Sequence, residues 1–204
     1  MKVKSIKNWE TYDWIKYKHY AKRIPSISFS FGLFIDNDLK GIITYGMPAS
    51  PSLCEGICGE KYRHDVLELN RLCLENNEKN EASYLIAHSL KLLPTPKIVV
   101  SYADTGQNHV GYIYQATNFI YTGLSAKRTD PENCYLTNVH NRHQPSGQPQ
   151  VERPRKHRYV YFCGEKRQKR ELLDSLNYPI EPYPKGKTQR YDSGGCVPVQ
   201  RQMF

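Results

Sequence analysis

The sequence predicts a mixed α/β (α+β) fold, a sheet flanked by helices and followed by a basic C-terminal extension. Two stretches carry that expectation. Ile27, Phe29, Phe31 and Leu33 alternate with Ser28, Ser30 and Gly32, and after the turn Asp36-Asn37-Asp38 the run Gly41 to Gly46 resumes an extended pattern, so this is a β-hairpin. In Lys97 to Gly123, the β-branched run Ile98-Val99-Val100 gives way abruptly to Ser101-Tyr102-Ala103-Asp104-Thr105-Gly106. Val110, Ile113, Tyr114 and Thr117 then recur at the spacing of one helical face, Asn118 offers a left-handed cap, and Phe119-Ile120-Tyr121 begin another strand. In an open α/β sheet, ligands gather at the polar end of such a strand.

The remaining elements follow in order. Residues 5 to 23 interleave Trp9, Trp14, Ile15, Tyr17 and Tyr20 with Lys and Arg, which predicts an amphipathic helix packing its aromatics on the sheet until Pro25 stops it, with His19 and Tyr20 as candidate site residues. Residues 47 to 64, rich in Pro, Gly, Ser and Cys, predict a loop; Cys54 and Cys58 with His64 form a weak zinc signal. Asp65 to Glu75 alternates with polar and apolar residues on both sides, as in a central strand that reaches a site. Arg71 within it requires a carboxylate, Glu68 or Asp104, or a bound anion. A polar turn over 76 to 82 leads to a helix capped by Ser83, whose exposed amides suit an anion. Residues 124 to 158 predict a long basic loop, in which His140 and His143 have metal-pair spacing, before the strand Tyr159 to Phe162. Glu165 to Leu176 predicts a charged helix, and from Tyr178 onward the Pro/Gly-rich chain reads as an extended tail.

Length and charge bound the function. A chain of 204 residues with 39% apolar content supports one main core, and it contains no apolar run long enough to span a membrane. The start lacks the features of a secretory signal, and the six cysteines lack the density of a disulfide framework, so the expected compartment is the cytoplasm and the cysteines are thiols. The formal net charge of +9 makes nucleic acid the leading partner. Its expected contacts are Arg153, Arg155, Lys156, Arg158, Lys166 and Arg167.

Element order and the segment IYQATNF at 113 to 119 resemble the GNAT acyltransferases, with a mostly antiparallel sheet. The combination HYAKR, LELNRLCLENN, VVSYADT, HVGYIYQATNFIYTG, KHRYVYF and YPIEPYPKG is more specific and is similar to the phage Mom family of DNA adenine modification proteins over roughly residues 15 to 185. The resemblance implies a catalytic domain over 1–164 and a basic extension over 165–204. It also implies a transferase that converts adenine in duplex DNA to N6-carbamoylmethyladenine and so protects phage DNA from host restriction. Tyr114 matches the superfamily's general acid; Asp104 or His19 would orient or deprotonate the flipped amine beside the Ser101-to-Asp104 strand end, and Tyr20, Tyr45, Tyr102 and Tyr114 offer the rings on which the base would stack.

Arg71, Lys79 and Ser83 would bind the donor's anionic part, although the loop from Asn76 to Ser83 contains no glycine and has two glutamates. The donor is open between acetyl coenzyme A and another activated group, with a metal ion as a further option and a homodimer as a further expectation. Two alternatives stand beside this reading: an N-acetyltransferase of a protein or small amine, and a non-catalytic nucleic-acid-binding protein of GNAT-like fold.

Overall fold

The computed structural model describes residues 1–132, 147 and 149–186. A seven-stranded sheet runs in the order β1-β2-β3-β4-β5-β9-β6, formed by Lys2–Ser5, Phe29–Ile35, Asp38–Gly46, Val66–Leu74, Lys97–Asp104, Lys156–Cys163 and Ile120–Leu124. Arg128–Pro131 (β7) and Gln150–Arg153 (β8) form a separate two-stranded ribbon. Every neighbouring pair is antiparallel except β4 and β5. The fold is therefore mixed α/β with a mostly antiparallel sheet, as the sequence predicts.

Each face of the sheet has its own core. Glu81–Leu92 (α2) and Tyr112–Ala116 (α3) cover one face, where Leu85, Ile86 and Leu90 pack with Tyr45, Leu67, Leu69, Val99 and Tyr159. Pro51–Cys58 (α1) and Lys166–Asp174 (α4) cover the other, through Ile57, Cys58 and Leu172 against Val66, Ile98, Val100 and Phe162. Each fully buried Leu, Ile or Phe contributes about 1.5–3 kcal/mol of transfer free energy. The hairpin forms where alternation predicts it, and Asp36 and Asn37 both take the positive φ of a tight two-residue turn.

Four expectations need correction. The N-terminal segment is not one amphipathic helix but a strand (β1), a 3-10 turn at Asn8–Thr11 and a single π-helical turn at Trp14–Lys18. Ile15 is buried, yet Trp9 is 63% and Tyr17 76% exposed, so these aromatics do not pack on the sheet. Residues 47–64 hold α1 and a 3-10 helix, because Ser50 at the N-cap and Pro51 at the first turn start a helix whose Cys54, Ile57 and Cys58 share one buried face. The α2 helix starts at Glu81, with Asn80 rather than Ser83 at its cap; the Ser83 hydroxyl bonds back to the Asn80 carbonyl. The basic loop contains β7 and β8, and β9 begins at Lys156, three residues before the expected strand start. His140 and His143 lie outside the described residues.

The tail, of which residues 178–186 are described, is extended as expected, without helix or strand, and is tied to the body along its length. The Asn177 amide donates to the Ile57 carbonyl, Glu181 N–H to Tyr121 O, and the Tyr183 hydroxyl to Phe119 O. The Gln115 side chain donates to Pro184 O and the Tyr112 hydroxyl to Gly186 O. Residues 177–186 thus form a strap that covers β6, an edge strand whose unpaired groups would otherwise face solvent, and ends on α3.

Candidate active site

The site is built on a divergence. Parallel pairing of β4 with β5 extends only over Val66–Ile98, Leu67–Val99 and Glu68–Val100, while β3 stays paired with β4 to Leu74 and β9 with β5 to Asp104. The two central strands therefore part beyond Glu68 and Val100. At the apex the Ser101 hydroxyl donates to the Leu69 carbonyl at 3.2 Å.

A β-bulge decides what faces the gap. On β4, Thr44 pairs with Arg71 and Tyr45 with Leu69, leaving Asn70 as the extra residue. Asn70 is held at both ends of its amide, accepting from Thr44 Oγ1 at 2.6 Å and donating to Ser26 O at 2.9 Å. One extra residue reverses the alternation, so Glu68, in phase with buried Val66, and Arg71, in phase with Cys73, share one face. Without the bulge they would lie on opposite sides of the sheet.

The structure divides the predicted wall across the sheet. Ser101 is in phase with Val99 and Ala103 on the α3 face, where Tyr114 lies; Tyr102 and Asp104 are in phase with Val100 on the other. The two sets approach each other through the gap. Tyr114 is 8% exposed and packs against Phe119 and Tyr159 at ring distances of 5.4 and 5.3 Å. Burial pushes its phenol up to about 12; a hydrogen bond with Ser101 opposes the shift, and the nearby charges of Tyr20 and Glu68 add to it. At neutral pH it is a protonated donor.

From the opposite face come His19 and Tyr20. His19 is buried, and its Nδ1 accepts the Ala21 amide at 3.0 Å, which places the ring proton on Nε2. Burial, then the Arg71 charge, hold its pKa down at about 3. It is therefore a neutral donor, which suits orienting a substrate but not deprotonating one. Tyr20 stacks on His19 at 4.4 Å and meets His109 edge-on at 6.4 Å. Although 56% of Tyr20 is exposed, desolvation around its hydroxyl and the Asp104 carboxylate raise its pKa.

His19 makes stability acid-sensitive. The unfolded histidine takes up a proton near 6.5 and the native one only near 3, so this contribution is present above pH 6.5 and is lost as pH falls toward 3. The full loss is on the order of several kcal/mol. Melting curves of His19→Gln are expected to fall less steeply than wild type between pH 6.5 and 4; parallel curves would contradict this assignment.

Asp104 is already engaged, with Oδ1 accepting Gly106 N–H at 2.9 Å and Oδ2 facing Lys156 Nζ at 3.2 Å. Glu68 is the carboxyl that sequence reasoning took only as a salt-bridge partner for Arg71. Half-buried in the gap, it has no hydrogen bond or ion pair among the described residues, and burial raises its pKa against the pull of Lys156 and then Arg71. Its place three residues before Arg71 was visible in sequence, but only the bulge converts that spacing into a shared face. His109, also not singled out, has its pKa lowered by burial, with Asp104 opposing.

Arg71 clamps the neighbouring loop. Its Nε and Nη2 donate to Arg23 O at 3.2 and 2.8 Å, and Nη1 donates to Asn70 O at 2.5 Å. No carboxylate lies within ion-pair distance of it among the described residues, so neither Glu68 nor Asp104 neutralises it there. Burial lowers its pKa, and Tyr20 is the largest opposing influence. Lys79 is exposed in the turn before α2, and Glu81 turns inward to accept the Glu78 amide at 2.9 Å.

The predicted nucleic-acid residues are mostly occupied. Arg155 donates to the Ser125 and Leu124 carbonyls, Arg158 to the Thr122 hydroxyl and carbonyl while stacking on Tyr178, and Arg153 lies 3.7 Å from Asp130. Lys156 faces the site through Asp104. Lys166 and Arg167 are exposed on α4, with Arg167 paired to Glu171. Tyr45, a candidate for base stacking, is fully buried and bonded to Ser89 at 2.6 Å. Cys54 and Cys58 donate to backbone carbonyls, and among the described residues no group of three or more His, Cys, Asp or Glu is placed to hold a metal.

The sheet order, the splayed parallel pair and the helices on both faces define a mixed α/β protein with a mostly antiparallel sheet. The chain belongs to the Mom protein family, whose model matches residues 1–185. A curated relative, methylcarbamoylase Mom of Escherichia phage Mu, is 28% identical over 210 aligned positions, covering 91% of this chain and 84% of the relative. Among solved structures, a probable acetyltransferase from Staphylococcus epidermidis has 12% identity and a TM-score of 0.47, covering 80% of this chain and 99% of its own. A Bacillus subtilis acetyltransferase in complex with CoA has 12% identity and a TM-score of 0.45, covering 79% and 97%.

Proposed function

We propose that this chain is a phage DNA modification enzyme that converts adenine in duplex DNA to its N6-carbamoylmethyl form and thereby shields the DNA from host restriction. The observation that carries the reading is the family match, which takes in the whole gap from His19 to Lys156 and extends through the strap to residue 185. The name of the phage Mu relative supports the chemistry.

The geometry supplies roles for the chain's own groups. A flipped adenine needs an aromatic platform, and the Tyr20 ring at the rim, backed by His19, is the exposed one. As N6 bonds to carbon it loses a proton. Asp104 is engaged and His19 carries its proton on Nε2, so Glu68, a stronger base than an ordinary carboxylate because of its burial, receives it. Tyr114 donates its phenolic proton to the departing group of the activated donor, and Ser101 holds that phenol. Arg71 faces the donor's anionic part as a cation with no ion-pair partner among the described residues, while Lys79 and the start of α2 stand on the donor side. No step here runs through a metal.

Plasmid DNA from cells expressing the chain is expected to resist restriction enzymes whose sites contain adenine. Full cleavage by all of them, with the protein expressed and folded, would contradict the protective role. Transfer of acetyl groups to a protein or small amine, without any change in DNA, would favour the N-acetyltransferase alternative.

A further inference from the structure

The cations assigned from sequence to DNA are either bonded internally or badly placed. Lys166 and Arg167 follow β9, whose Cys163 pairs with Lys97, whereas the site lies where Lys156 pairs with Asp104. The seven-residue separation along β5 is about 23 Å at 3.3 Å per residue. The N-terminal layer is different. Residues 1–23 carry seven Lys or Arg against two acidic residues, with four of the cations and both acids within 9–23, and the layer runs directly into His19 and Tyr20. Lys16, Lys22 and Arg23 are exposed and have no ion-pair partner among the described residues. Trp9 and Tyr17 present their rings to solvent.

We infer that this layer, from Trp9 to Arg23, is the surface that docks duplex DNA and delivers the target adenine to Tyr20. The inference rests on the reading above that duplex DNA is the substrate. Duplex DNA carries about one negative charge per 1.7 Å of axis, which matches a short run of free cations, and exposed aromatic rings beside them stack on bases that leave the helix. A second copy of the chain is a poor occupant, because like charges would meet. The surface is held in shape before binding: Arg71 clamps the Arg23 carbonyl, and the Lys22 amide bonds to His19 O at 3.0 Å with Lys22 in the left-handed region. DNA lying on this layer is continuous with the gap.

The test measures binding of full-length protein to a fluorescent duplex across a salt series, together with adenine modification in cells. Lys16→Gln/Lys22→Gln is expected to lower the slope of log K against log salt by about 2, at roughly 0.9 per phosphate contact, with about a tenfold loss of affinity at low salt. Tyr17→Ala is expected to weaken binding several-fold with the slope unchanged. All three side chains are exposed, so melting temperatures should match wild type. Wild-type binding by both N-terminal variants, or loss of binding confined to Lys166→Gln/Arg167→Gln, would overturn the docking surface. If wild type modifies adenine and the N-terminal variants do so equally with undiminished affinity, the surface fails and the enzymatic reading stands. If wild type makes no modified adenine, the enzymatic reading fails, and a wild type that does not bind duplex DNA removes the surface as well.

Discussion

Tyr114→Phe is expected to reduce modified adenine in co-expressed DNA by about a hundredfold or more, the range of a lost general acid. The phenol is the buried protonated donor at the apex of the gap, and its pKa near 12 keeps the proton in place throughout neutral pH. The ring itself is structural, packed between Phe119 and Tyr159, so Phe preserves the packing and removes one oxygen. Ser101 then loses one contact but still donates to Leu69 O, so no buried hydroxyl is orphaned and the stability change should be about 1 kcal/mol or less. Paired measurements of modified nucleoside and melting temperature separate the two effects. Undiminished modification would remove Tyr114 from the mechanism.

Phe119→Ala is expected to have the largest effect on stability, about 3–5 kcal/mol, because it empties a fully buried aromatic site. Its ring touches Tyr114 on one side and Tyr161 on the other, at 5.4 and 5.1 Å, and its amide donates to the Tyr114 carbonyl at 3.0 Å. Its own carbonyl accepts the strap residue Tyr183. Loss of the ring should therefore loosen α3, the strap and the Tyr114 phenol together, so activity is expected to fall faster than the folded fraction. Denaturant unfolding checks the first part; a change under about 1 kcal/mol would show that the site collapses to fill the space.

Legibility followed the range of the interaction. The hairpin, β4, the strand-helix-strand unit and the left-handed Asn118 were all readable, because each is set by alternation or by a local turn preference. The α1 helix was missed because its eight residues, beginning at Pro51, are too few to show a sustained period. The four-residue β1 holds only Val3 as an apolar signal. In the site, Tyr114, Ser101, His19, Tyr20, Arg71 and Asp104 converge on one gap, yet their roles divide in ways that composition cannot reveal. Asp104 is engaged by Lys156, a residue 52 positions away that only the β5–β9 register brings alongside. The bulge at Asn70 brings Glu68 to the face of Arg71, and a two-residue alternation read along the strand places it on the wrong side from Arg71. Arg155 and Arg158, read as part of a DNA footprint, are held by backbone carbonyls of β6 and the turn after it, a use of charge that looks identical in sequence to a free patch.

The fate of adenine is the decisive observable for the proposed activity. Mass spectrometry of nucleosides from plasmid DNA co-expressed with the wild-type chain, set beside DNA from the Tyr114→Phe variant, tests it most directly. The expected result is a deoxyadenosine derivative with the mass of an N6-carbamoylmethyl adduct in the first sample and near-absence of it in the second. Unmodified deoxyadenosine alone in both, with folded protein present, would contradict it.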